Sequence, residues 1–224
     1  MPRLMPIAIA AIAAATLVNA HGDVAPQPVN TDELPDIGEE WLIENPFRAA
    51  AVGEEAWAKA IEIGASGYNQ NCARCHGLEV ISGGLAPDLR FLEAEEYGDE
   101  WYMERFISGY TQNGTTKMPA FGELLGQKAG WAIRTYIETR PDDDSMAEYS
   151  DELKAIRDAL NDGSATDLEA TKARLVAIAA EIETLSGAPV ADSAASRAVA
   201  SLDGSETGVK RAVEALTIGL SAAQ

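Results

Sequence analysis

The chain has 224 residues, enough for one or two domains, and 46% of them are hydrophobic, enough for a packed core. A formal net charge of −19 argues against nucleic acid and anionic lipid as partners and fits either plain solubility or docking to a positively charged protein face. With only two cysteines, Cys72 and Cys75, a disulfide framework is excluded, because a bridge across two intervening residues closes too small a loop to stabilise much.

In chain order, residues 1–20 have the layout of an export signal. Arg3 supplies a positive start, Ile7 to Val18 form an apolar run, and Val18-Asn19-Ala20 matches the small-residue cleavage pattern. The mature chain is then expected to begin at His21 and to reside in the periplasm; the other use of such a segment is an uncleaved anchor. No second apolar run of about 20 residues follows, so no transmembrane span is expected in the mature chain. Residues 21–48 carry Pro26, Pro28, Pro35 and Pro46 among polar residues and read as an extended N-terminal arm.

Residues 49–140 hold the chemistry. Helical spacing runs from Glu54 to Asn71, with Trp57, Ile61, Ile63, Gly64 and Tyr68 near one face. A second helix is expected over Asp99 to Ser108. A third runs from about Leu124 to Thr139, with Leu125, Ala129, Ala132, Ile133, Tyr136 and Ile137 as its stripe and Pro141 as its stop. Gly- and Pro-rich loops join them at Gly83 to Pro87 and Gly114 to Pro119, and no useful β-alternation is visible. Residues 141–224 are Ala-rich and acidic and read as a helical C-terminal extension of unknown role. Ser145 to Glu148 looks like a capping box, Gly163 stops a helix, Ser164 and Asp167 start another, and Leu168, Leu175, Ile178, Ile182 and Leu185 follow at heptad-like spacing. The fold class expected is all-α.

Cys72-Ala73-Arg74-Cys75-His76 is the attachment pattern of haem c. Two thiols separated by two residues reach the two vinyl groups on one edge of a porphyrin, and the following His lies beneath the iron. A dithiol redox motif would need a βαβ setting that is not visible, and a zinc site would need two more Cys or His ligands, where only His21 remains. One covalently bound haem c is therefore expected, with His76 as an axial ligand. For the sixth position Met103 sits among core-type residues and Met146 lies beyond the domain, which leaves Met118 in its Gly- and Pro-flanked loop. Pro87 is a candidate carbonyl acceptor for the other ring nitrogen of His76; as an ordinary turn proline it has equal standing on spacing alone. If Met118 does not ligate, the iron is open and the chain would be a haem c enzyme or a gas or peroxide sensor rather than an electron carrier.

Gly64 and Tyr68 before the motif, then Ala86-Pro87-Asp88-Leu89, Met118-Pro119 and Trp131 to Ile137 resemble a class I cytochrome c. That resemblance implies a first and last helix crossing at Gly64 and Tyr68 against Tyr136, and a Pro87 carbonyl bonded to His76. Asn69 to Glu79, Ile81 to Arg90, Trp131 to Tyr136 and His21-Gly22-Asp23-Val24 resemble the PedF-type cytochromes c, over residues 21–145. That family is associated with periplasmic PQQ-dependent alcohol dehydrogenases. It implies such a dehydrogenase as electron donor and a terminal oxidase or another cytochrome as acceptor. Acids near the haem edge, such as Glu79 or Asp88, are separate candidates for orienting the partner, with plain solvated surface charge as the commoner use.

Overall fold

The computed structural model describes residues 26–222, so the export segment and the start at His21 lie outside the described residues. The elements are α1 (Ala49–Asn71), α2 (Ala73–His76), single 3-10 turns at Leu78–Val80 and Leu89–Phe91, and α3 (Glu96–Ser108). Strands β1 (Tyr110–Gln112) and β2 (Thr115–Met118) follow, then α4 (Gly122–Glu138), α5 (Asp143–Glu148), α6 (Ser150–Asp162), α7 (Leu168–Glu181), α8 (Ala194–Ser201) and α9 (Glu206–Ala222). The all-α class holds. The departure is the antiparallel pair β1–β2, where a plain loop was expected. Its turn is Asn113-Gly114, both left-handed at φ +51° and +75°, the conformation a tight hairpin needs.

Each long helix follows from its sequence. Gly53, at φ +80°, breaks α1, so continuous helix begins at Glu54, where the apolar spacing begins. Gly126, at φ +76°, likewise separates the first turn of α4 from its long run. The two helices cross at Gly64: a Cβ there would overlap the Ala132 carbonyl oxygen and lie 3.0 Å from the Tyr136 Cβ. Hydrogen in place of a methyl lets the backbones meet and brings the Tyr68 and Tyr136 rings to 5.4 Å between centroids. Tyr102, Phe106, Trp131, Ile133 and Ile137 complete this first core.

Residues 26–48 contain no regular element, yet they are built into the domain. Leu34 and Phe47 are buried in the first core. The Asn45 amide donates to Thr135 Oγ1 at 3.0 Å and to Glu138 Oε1 at 3.1 Å, and its backbone N–H donates to Asp99 at 2.9 Å. Arg48 bridges Asp99 and Glu138, each at 2.9 Å, and Arg134 pairs with Asp99 at 2.9 Å. Buried charges persist only when paired in this way, because an uncompensated one costs several kcal/mol.

Helices α5 to α9 enclose a second core of Met146, Leu153, Leu160, Leu175, Ile178, Ala198 and Leu216. Asp142 rather than Ser145 caps α5, and of the expected pair Ser164 and Asp167 it is Asp167 that caps α7. Ser145 lies inside α5, where its hydroxyl accepts the Glu183 N–H at 3.0 Å. Gly163 ends α6 in the left-handed conformation, as its position suggested. The heptad-like stripe breaks at Ile182, which is already extended. The second core is joined to the first by main-chain bonds: Ala94 N–H to Ser186 O at 2.9 Å and Ala191 N–H to Thr139 O at 3.4 Å.

Gly64→Ala should destabilise the chain by about 1–3 kcal/mol, the usual cost of overpacking a closed contact. Gly83→Ala, where a Cβ meets nothing within 4 Å, should leave the urea midpoint nearly unchanged. Equal midpoints for the two variants would contradict the crossing.

Candidate haem site

At the end of α1 the Cys72 N–H donates to Tyr68 O at 2.7 Å, and the N–H groups of Cys75 and His76 both donate to Cys72 O at 3.0 Å. Cys72, Cys75 and His76 therefore share one tight turn. Gly77, at φ +87°, reverses the chain behind them; a Cβ there would overlap the Ile81 carbonyl oxygen. The Tyr68 hydroxyl donates to Gly77 O at 2.8 Å and ties this reversal to α1. Cys75 is exposed and Cys72 half-buried, and neither is in a disulfide. Burial, with a smaller contribution from the neighbouring Cys75, pushes the Cys72 thiol up to about 12, so it is protonated at neutral pH.

His76 is buried, which lowers its pKa from the ordinary 6.5 against the opposing pull of the Pro87 carbonyl and Asp88. Its Nδ1 lies 2.9 Å from Pro87 O. A carbonyl can only accept, so Nδ1 carries the proton and Nε2 keeps its lone pair, the form that binds a metal. Around Pro87, Ser82 Oγ donates to Ala86 O, and the Asp88 carboxylate accepts the Arg90 N–H at 3.0 Å and its guanidinium at 2.7 Å. Burial raises the Asp88 carboxyl, but the Arg90 bonds outweigh it and hold the group below its ordinary 3.8.

Met118 ends β2, half-buried and packed against the same core as Cys72. Met103 and Met146 are buried in the first and second cores. The base of the hairpin is tight: at Gly109, φ +68°, a Cβ would come within 2.8 Å of the Ala120 nitrogen. Glu79 and Asp88, expected as docking acids, are committed within the chain. Glu79 pairs with Arg140 and Arg197, and Asp88 with Arg90.

Three observations test whether these residues fit a haem. The donor set is right: two free thiols, a neutral imidazole with an available Nε2, and a thioether on a loop. The Trp131 Nε1–H, in the first core, is buried without a partner, a cost of about 1–3 kcal/mol that a bound group with an acceptor edge would remove. Leu78, Leu85, Phe91, Tyr97, Tyr110 and Leu124 are 44–78% exposed, all between α2 and the first turn of α4, and a large apolar plate would cover such surface. The residues fit. Among the described residues no group of three or more His, Cys, Asp and Glu could hold a bare metal ion. The exposed apolar set and the unpaired Trp131 were not singled out from sequence. Asn113-Gly114 is a hairpin signal present in the sequence, flanked by strands too short to show alternation.

In chain made without haem, Cys75 should alkylate at least about tenfold faster than Cys72 at pH 8, with equal rates after unfolding. Peptide mass mapping reads both rates, and equal rates in the folded chain would contradict the enclosure of Cys72.

The family described as cytochrome C oxidase, cbb3-type, subunit III matches residues 59–137, from within α1 through the Cys-His turn into the last turn of α4. Cytochrome c550 of Pseudomonas aeruginosa is 48% identical over 133 residues, covering 59% of this chain and 90% of that protein. Two quinohemoprotein alcohol dehydrogenases of Pseudomonas putida match more weakly. ADH IIB is 28% identical over 125 residues, 56% of this chain and 15% of that protein, and ADH-IIG is 32% identical over 84 residues, 38% of this chain and 11% of that protein. No solved structure gives a significant match. Nearly half the residues are shared along nine-tenths of a cytochrome c550, so the chain belongs to the c-type cytochromes of that kind, haem c proteins that carry electrons rather than catalyse a reaction.

Proposed function

We propose that this chain is a periplasmic monohaem cytochrome. One haem c is tethered by Cys72 and Cys75, ligated by His76 and Met118, and backed by the Pro87 carbonyl. It takes single electrons from a PQQ-dependent alcohol dehydrogenase and passes them to a terminal oxidase or another cytochrome. The observation that carries the reading is the His76 Nδ1 to Pro87 O bond at 2.9 Å. It fixes the tautomer and presents Nε2 from the same turn that holds both thiols. Haem bound there supplies an iron that alternates between the ferrous and ferric states.

The chain's own residues set the conditions for that exchange. Tethering by Cys72 and Cys75 would prevent loss of the group in an exported protein. The Met118 thioether would favour the ferrous state and raise the potential. The Cys75 side is exposed and offers a short path out. The matches to segments of two quinohemoprotein alcohol dehydrogenases support an alcohol dehydrogenase as donor. Among the described residues no helix is long and apolar enough to cross a membrane. With Glu79 and Asp88 paired internally, docking falls to the remaining acids of a chain with net charge −19.

The ferric protein should show the weak absorption band at the red end that marks Met ligation. Met118→Ala should lose it and gain rapid carbon monoxide binding when reduced. A band that survives Met118→Ala, or fast carbon monoxide binding by the unaltered protein, would contradict ligation by Met118. Reduction by the dehydrogenase should slow as ionic strength rises from about 0.05 to 0.5 M, because screening weakens charge-guided encounter. A rate indifferent to salt would contradict docking through acidic groups.

A further inference from the structure

The loop behind His76 contains the least comfortable backbone among the described residues. Glu79 and Val80 are consecutive non-glycine residues in the left-handed region, at φ +56° and +65°. Val80 is β-branched and fully buried, so neither side-chain entropy nor solvent eases it. Such residues cost about 1–3 kcal/mol each and persist only where their surroundings over-determine them.

Those surroundings come from the far end of the chain. The Glu79 carboxylate is bound by Arg140, just after α4, and by Arg197 of α8 at 3.4 Å. Asp192 holds the same two arginines from behind, at 2.8 Å and 3.4 Å. Arg140 also lies over the Tyr136 ring, 5.0 Å from its centre, which ties this cluster to the α1–α4 crossing. A second tether acts a few residues further on. Arg90, whose guanidinium grips Asp88, reaches across to Asp143 of α5 with two bonds of 2.7 and 2.8 Å and to Pro141 O at 3.2 Å. Two parallel N–H···O bonds of this kind fix direction as well as distance. A cavity of about 20 Å³ lies along this seam, lined by Glu79, Arg90, Arg140, Asp143 and Arg197, with room for about one water.

The two tethers bracket Pro87. One holds the chain at Glu79 and the other at Asp88-Leu89-Arg90, so the carbonyl that accepts from His76 sits in a segment pinned on both sides. We propose that the C-terminal helices act as a clamp on this loop. Asp143 and Arg197 are positioning residues: through Arg90 and Glu79 they hold the Pro87 carbonyl against His76 and so set the electron affinity of the bound iron. The proposal rests on the reading that His76 ligates haem. A strong Nδ1–H···O=C bond makes the imidazole a more basic ligand, which favours the ferric state. Loosening the clamp weakens that bond and raises the potential.

The test uses the full-length haem-loaded protein and the double variant Asp143→Asn/Arg197→Gln. Buried Arg90 keeps Asp88 as a partner, and Glu79 and Asp192 keep Arg140, so neither change leaves a sealed charge without a counter-ion. Glu152→Gln is the control, because it breaks an exposed pair with Arg174 between α6 and α7 without touching the loop. Three quantities are read: bound porphyrin mass, exchange of the His76 Nδ1 proton by NMR in the reduced state, and the reduction potential. Expected are retained haem, exchange faster by about tenfold or more, and a higher potential in the double variant, with the control matching the unaltered protein. Asp143→Asn alone should shift both quantities in the same direction by less, and Arg197→Lys, which keeps the charge, should recover part of the loss. Haem retained with unchanged exchange and potential would overturn the clamp alone. Absence of porphyrin mass in the unaltered protein would overturn the haem reading and the clamp with it.

Discussion

A neutral imidazole has one nitrogen that donates and one that accepts, and what touches the first decides what the second can do. In this chain the Pro87 carbonyl takes the Nδ1 proton of buried His76, which leaves the Nε2 lone pair available on the turn that carries Cys72 and Cys75. Most of the domain can be read as support for that bond. Gly77 reverses the chain so that residues 82–90 can return beside the ring, and Tyr68 holds the reversal through its hydroxyl. Tyr68 is placed by its contact with Tyr136, which exists because Gly64 lets α1 and α4 meet.

The rigidity has two sources of different character. The first core is apolar and non-directional, and it puts α1, α3 and α4 in place by burial. Directional control comes from buried ions. Arg48, Asp99, Arg134 and Glu138 fasten the segment before α1 to α3 and α4, and Glu79, Arg140, Asp192 and Arg197 fasten the loop after the Cys-His turn to α8. Burial pushes the Glu138 carboxyl up, and bonds from Arg48 and the charge of Arg134 oppose it, which is the signature of an ion kept inside by its partners. Such pairs add little net stability compared with apolar packing, but they specify geometry, which a metal ligand needs.

What could be read from sequence follows the range of the interactions. The Cys-x-x-Cys-His spacing, the stripe of α4 and the stop after it are local, and they were legible because each obeys a period or a covalent distance. Gly64 was legible through resemblance, and the structure supplies its reason in the Ala132 carbonyl. What was not legible is mostly non-local. Arg134 and Glu138 lie on the side of α4 opposite its apolar stripe, yet they are buried because Asn45 and Arg48 of the segment before α1, with Asp99 of α3, pack against that side. Glu79 and Asp88 looked like free surface acids, and nothing near them in sequence points to Arg140 or Arg197 as partners for Glu79. The β1–β2 hairpin was a local feature misread: Asn113-Gly114 is a strong turn signal, but the strands are too short to show alternation.

The chain is an electron carrier of the c-type cytochrome family, and ions of its far C-terminal region hold the loop that returns beside His76. The proposed function depends first on covalent attachment of one haem through Cys72 and Cys75. Intact-mass spectrometry of protein matured with haem-attachment machinery tests that most directly, beside the Cys72→Ser/Cys75→Ser variant. The unaltered chain should carry the mass of a single haem, held through denaturation, and the variant none. A bare polypeptide mass for the unaltered protein, or a haem that leaves on denaturation, would contradict it.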